Sequence, residues 1–171
     1  MSAARRSSSF VTTRRATASW AFPLIAVAAF GGVAAALVSQ HVYGMDPCAW
    51  CVLQRLIFVA IGAFALLGLA WRQVAVGRVA GAAVLLLALA GIASALWQHI
   101  VASKSASCNL TLADRIVSGS GIDQLLPSVF EARASCADAA VSLFGVSYAL
   151  WAAALFALCA VAAFRAFRTA C

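Results

Sequence analysis

Two cysteines separated by two residues, in Pro47-Cys48-Ala49-Trp50-Cys51, are the side chains best suited to chemistry here. Pro47 suits a position just before or within a first helical turn, where a missing N–H costs nothing. Free N–H groups and the positive end of a helix dipole favour a thiolate at such a place. The two-residue spacer brings the sulfurs close enough for an exchangeable disulfide. The competing reading is half of a zinc site. That needs two further ligands at comparable spacing, and the sequence has no second C-x-x-C and no H-x-x-x-H. Redox chemistry therefore leads, and no metal is expected.

Cys108 and Cys136 bracket a polar segment. In an oxidising compartment two such cysteines pair, either as a static staple or as a second dithiol able to exchange with the first. Ser103–Ser107 and Ser118–Gly121 would supply the mobility that exchange needs. Arg55 follows Cys51 by four residues and Cys48 by seven, so one helical face carries all three. A charge within an apolar run marks a functional site by default, with snorkelling to headgroups as the bland alternative. His99 falls at a similar depth near the end of another apolar run, where it would face Arg55 and hydrogen-bond the same acceptor. Cys159, within an apolar run, and the final Cys171 read as inert.

The elements that must position these groups are set by composition. Of 171 residues, 65% are hydrophobic and 10% charged, and the mean hydropathy is +1.00. A soluble domain carries about 25% charge, so most of this chain belongs in lipid, as one compact domain over residues 1–171. About 20 apolar residues cross roughly 30 Å of hydrocarbon. Four runs qualify: about Trp20–Gln40, Ala49–Trp71, Val79–Val101 and Ala139–Phe164. The expected fold is an all-α bundle of four transmembrane helices with outer loops at 41–48 and 102–138. The first run is too long for a signal peptide and reads as a retained span. Ile122, Leu125, Leu126, Val129 and Phe130 have the spacing of a short amphipathic helix lying on the membrane surface.

The net charge of +7 is not a nucleic-acid signature, because the basic residues flank the apolar runs. Eight of the twelve (Arg5, Arg6, Arg14, Arg15, Arg72, Arg78, Arg165 and Arg168) fall on one side; Lys104, Arg115 and Arg133 and all five acids fall on the other. The positive-inside rule then expects cytoplasmic termini, with Cys48, Cys51, Cys108 and Cys136 facing outward.

Gln40-His41-Val42, Pro47-Cys48-Ala49-Trp50-Cys51 with Arg55, Gln98-His99 before Cys108, and Pro127-Ser128-Val129-Phe130 before Cys136 together resemble the disulfide bond formation protein B (DsbB) family over nearly the whole chain. The resemblance implies a monomeric protein of the bacterial inner membrane that reoxidises a periplasmic DsbA-type thiol oxidase and passes the electrons to a quinone, ubiquinone or menaquinone. It implies the disulfides Cys48–Cys51 and Cys108–Cys136, with Cys108 meeting the partner and Cys48 exchanging with Cys136. Cys51 would lie next to the quinone, in a site holding Arg55 and His99. The chain departs from a familiar member at Gln54, which stands where that member has an acid and leaves Arg55 without an adjacent counter-ion. A vitamin K epoxide reductase-like enzyme would carry its C-x-x-C near the last span, where this chain has none. A non-catalytic scaffold with a structural outer disulfide remains the reading from another class.

Overall fold

The computed structural model describes residues 4–71, 73–104 and 111–169, and side chains from Trp20 to Arg168 within those ranges. Four helices are long and apolar enough to cross a membrane, over Trp20–Tyr43, Ala49–Ala70, Val74–Lys104 and Tyr148–Arg168. They belong to α1 (Ala4–Tyr43), α2 (Ala49–Ala70), α3 (Val74–Ile100, continued by a 3-10 turn) and α7 (Tyr148–Thr169). Between α3 and α7 come three short helices, α4 (Leu112–Ser120), α5 (Ile122–Leu125) and α6 (Pro127–Phe130). The four long helices form a ring: α1 packs on α2 and α7, and α3 on α2 and α7.

The ring closes because small residues let rings approach backbone. A Cβ on Gly91 would fall 2.5 Å from Phe156, and one on Gly62 would fall 2.6 Å from Phe30. Phe156 also stacks on Phe58, centroids 3.8 Å apart. Lipid gives helices no hydrophobic reason to associate, so such close packing, lined by Ala26, Ala29, Ala65, Ala88 and Ala163, has to hold them together.

A second apolar cluster sits above the first. In it Cys48, Trp50, Val52 and Leu53 of α2 meet Ala113 and Val117 of α4 and Phe130 of α6. Ala113 and Val117 are one turn apart on α4, which Thr111 and Asp114 begin with a reciprocal capping box and Gly121 ends in the left-handed conformation. Ser118–Ser120, expected in a mobile stretch, thus belong to a helix.

Two expectations need correction. The stripe Ile122–Phe130 is not one amphipathic helix: Leu126, at φ −135° and ψ 66°, separates α5 from α6. Its neighbour Pro127 excludes the residue before it from helical geometry. Ile122 and Val129 pack on the outer cluster, whereas Leu125 and Leu126 are exposed. The last long helix starts at Tyr148 and not at Ala139. Ser142–Leu143 (β1) and Val146–Ser147 (β2) pair as a tiny hairpin. Its loop residues Phe144 and Gly145 have φ of 54° and 78°, the signs a two-residue hairpin turn requires. The hairpin is nearly as apolar as a span, so hydropathy did not mark the turn.

Candidate active site

The C-x-x-C opens α2. Cys48 is the N-cap, extended at φ −85° and ψ 170°, and its carbonyl accepts the helical bond from the Val52 N–H at 3.0 Å. Cys51 lies within the first turn, its Sγ 3.3 Å from that of Cys48. The outer loop folds back over this start. The N–H groups of Arg133 and Ala134 both donate to the Pro47 carbonyl, at 3.0 and 3.3 Å, which draws the half-buried Cys136 to the fully buried Cys48. Hydrogen bonds to Cys136 and then to Cys51, with burial after them, push the Cys48 thiol up from its ordinary value. The same bond with Cys48 holds the Cys136 thiol below its ordinary value. Cys48 therefore holds its proton more tightly than an ordinary thiol and, through it, favours negative charge on Cys136.

Arg55, one turn further along α2, is buried and does not snorkel. Its Nη1 donates to Gln40 Oε1 of α1 at 2.6 Å and to the Val129 carbonyl of α6 at 2.9 Å. Its Nη2 donates to the Ala36 carbonyl at 3.4 Å. Gln40 in turn donates to the Ser128 carbonyl at 3.5 Å. One cation thus ties two membrane helices to the outer loop, and no carboxylate pairs with it among the described residues. Beside it, Gln54 Nε2 donates to Gln98 Oε1 at 2.6 Å, and Gln98 Nε2 donates to Cys51 Sγ at 3.0 Å.

Cys51, Gln54, Arg55 and Gln98 form the polar end of a cavity of about 500 Å³ that is otherwise mostly apolar. Gly32, Ala35 and Ser39 of α1 face Tyr148, Leu155 and Leu158 of α7 across it, and Phe58 lies on the α2 side. Ala35, Ala154 and Leu158 belong both to its lining and to the exposed surface of the bundle, so it opens sideways between α1 and α7. The size suits a small apolar molecule with one or two polar atoms.

Cys48, Cys51, Cys136, Arg55 and Gln54 come together here, while Cys108 lies outside the described residues. His99 does not join them. It lines a separate, smaller recess with Ser103 and Lys104, and its neighbour Gln98 turns to the sulfurs instead. His41 is exposed and bonded to the Leu37 carbonyl of its own helix. Cys159 is buried in the membrane core, and Cys171 lies outside the described residues. Sequence reasoning missed Gln40, Gln98 and Tyr148 as site residues; the first two carried a signal as polar side chains at the ends of apolar runs.

The family model described as disulfide bond formation protein DsbB matches residues 18–166. A disulfide bond formation protein B of Ralstonia nicotianae is 38% identical over 138 residues, which is 76% of this chain and 81% of the relative. One of Pseudomonas savastanoi pv. phaseolicola, disulfide bond formation protein B 1, is 37% identical over 141 residues, 81% of this chain and 80% of the relative. A disulfide bond formation protein B of Herminiimonas arsenicoxydans is 32% identical over 138 residues, 80% of this chain and 87% of the relative. No solved structure matches the chain.

Proposed function

The chain belongs to the disulfide bond formation protein B family, a disulfide-forming, multi-pass membrane protein, and on that premise we propose that it reoxidises a periplasmic DsbA-type thiol oxidase at the expense of a membrane quinone. The observation that carries this reading is the division of labour between two adjacent sulfurs. Cys51 lines a cavity that opens to the lipid-facing surface, while Cys48 is fully buried beneath the loop, in the cluster that Cys136 packs against. The protein lies in the bacterial inner membrane with its termini in the cytoplasm and its cysteines in the periplasm, as the distribution of Lys and Arg argues.

A quinone fits what the cavity offers: a mostly apolar chamber for the ring, a side opening for a hydrocarbon tail, and donors from Arg55 and the Tyr148 hydroxyl for carbonyl oxygens. When bound, it supplies a two-electron, two-proton acceptor of higher potential than a DsbA-type disulfide, which stands near about −120 mV. The chain's own residues do the rest. The partner's dithiol reduces the Cys108–Cys136 disulfide through a mixed disulfide on Cys108, and the partner leaves oxidised. The Cys136 thiolate attacks Cys48 of the Cys48–Cys51 disulfide, which the loop holds beside it, and releases Cys51 as a thiolate. Cys108 then attacks Cys136, restoring the loop disulfide and leaving Cys48 and Cys51 reduced. Arg55, held by Gln40 and the Val129 carbonyl, keeps positive charge beside Cys51 and at the cavity's polar end throughout.

Trapping tests the reading. In Cys136→Ala, Cys108 has no loop cysteine to resolve its mixed disulfide, so a periplasmic thiol oxidase should accumulate covalently attached to Cys108. A partner attached at Cys48 instead, or none attached at all, would count against it.

A further inference from the structure

Two amides stand between the cavity and the sulfurs, and the electron path above does not use them. Gln54 on α2 and Gln98 on α3 are 5% and 6% exposed, and each amide has two N–H donors and one accepting oxygen. Gln54 Nε2 donates to Gln98 Oε1 at 2.6 Å. With its oxygen engaged there, Gln98 turns its N–H groups the other way, toward sulfur. Its Nε2 lies 3.0 Å from Cys51 Sγ and 3.6 Å from Cys48 Sγ. The bond from Gln54 thus decides that Cys51 meets a donor and not an oxygen lone pair. A donor favours a negative sulfur, an oxygen opposes one, and burial magnifies the difference.

From this geometry we infer that Gln98 is a positioning residue for Cys51, oriented by Gln54, and that the pair holds the negative charge of the reduced dithiol on the cavity-facing sulfur. Cys48, its thiol raised by hydrogen bonds to Cys136 and Cys51 and by burial, is the sulfur of the pair that favours keeping its proton. Neither amide is charged, so the site gains a donor for the thiolate without a second cation beside Arg55. The inference rests on the reading of Cys51 as the sulfur that faces the acceptor, but its test needs neither acceptor nor partner.

The test uses the full-length chain, fully reduced, and reads the ultraviolet thiolate absorbance at neutral pH, which reagent access cannot alter. The share belonging to Cys51 is the absorbance missing in Cys51→Ser. Gln98→Glu keeps the side chain's shape but sets a carboxylate against the sulfur, and should lower that share about tenfold, the scale of one hydrogen bond to a charged group. Gln54→Leu leaves Gln98 free to turn its oxygen to the sulfur and should lower the share about twofold to threefold, with Gln98 itself intact. An undiminished share in Gln54→Leu together with a folded Gln98→Glu overturns the inference, as does a Cys51→Ser chain as absorbing as wild type. Collapse of the share in both variants supports it even if Cys136→Ala captures no thiol oxidase, an outcome that would remove the electron path and leave the amide pair standing.

Discussion

Below Arg55 the helices close on one another through rings seated on glycine, Phe156 on Gly91 and Phe30 on Gly62, with Phe58 stacked on Phe156. Above Arg55 one half of the packing is loop. Ala113, Val117 and Phe130 cover Cys48 and Trp50, and the loop's nearest ties to the cysteines are two N–H groups sharing the Pro47 carbonyl and one carbonyl held by Arg55. The lower region has interlocking contacts that must all yield together, and the upper one a few bonds that can break singly. The proposed relay would need that contrast: one dithiol fixed on a rigid helix at the cavity, and a second on a segment able to leave, meet a partner and return.

Arg55→Met should have the largest effect, since it removes at once the cation at the cavity and the bond to the Val129 carbonyl of the loop. The apparent quinone KM should rise about tenfold or more, the cost of stranding the buried oxygen of Gln40 and losing charge-assisted bonds, and limited proteolysis should cut residues 111–138 faster. An unchanged KM would mean that Arg55 serves only the loop. Gly91→Ala attacks the lower region alone. A methyl group there must displace Phe156 and with it Phe58, for a loss of about 1–3 kcal/mol in thermal or denaturant unfolding. Gly31→Ala is its control, having nothing within 4 Å of the added carbon, and should stay within about 0.5 kcal/mol of wild type.

How far these regions were legible beforehand differs in the same way. The lower one was, because an uninterrupted apolar run of a given length has one interpretation in lipid; in the upper one, the C-x-x-C after Pro47 announced its own position. The upper one depends on local backbone chemistry that hydropathy averages away. The turn at Phe144-Gly145 and the break at Leu126-Pro127 are single-residue events. Thr111 and Asp114 did carry a capping signal in plain sight. Gln98 was hidden for another reason: only the packing of α3 on α2 decides that it, and not His99, turns toward Cys51.

Two smaller effects sharpen the upper region. The Cys136 thiol is held below its ordinary value by Cys48, so more of it is thiolate at neutral pH than of an ordinary thiol, and that share is lost as the pH falls through the lowered value. Cys48→Ala should remove the bond, return Cys136 toward ordinary thiol behaviour, and slow its alkylation at neutral pH several-fold; an unchanged rate would deny the hydrogen bond any electrostatic role. Thr111→Ala should loosen α4 by about 1 kcal/mol, seen as faster amide exchange at Asp114 and Arg115, whose N–H groups donate to Thr111, with no change in α2.

The most direct test of the account follows thiols and quinone together. Reduced full-length protein is mixed without oxygen with a short-chain quinone, and quinone absorbance and free thiols are counted over time. Wild type should lose two thiols for each quinone reduced, as a two-electron dithiol couple requires, and Cys51→Ser should reduce none. Reduction of the quinone by Cys51→Ser at the wild-type rate would contradict the account.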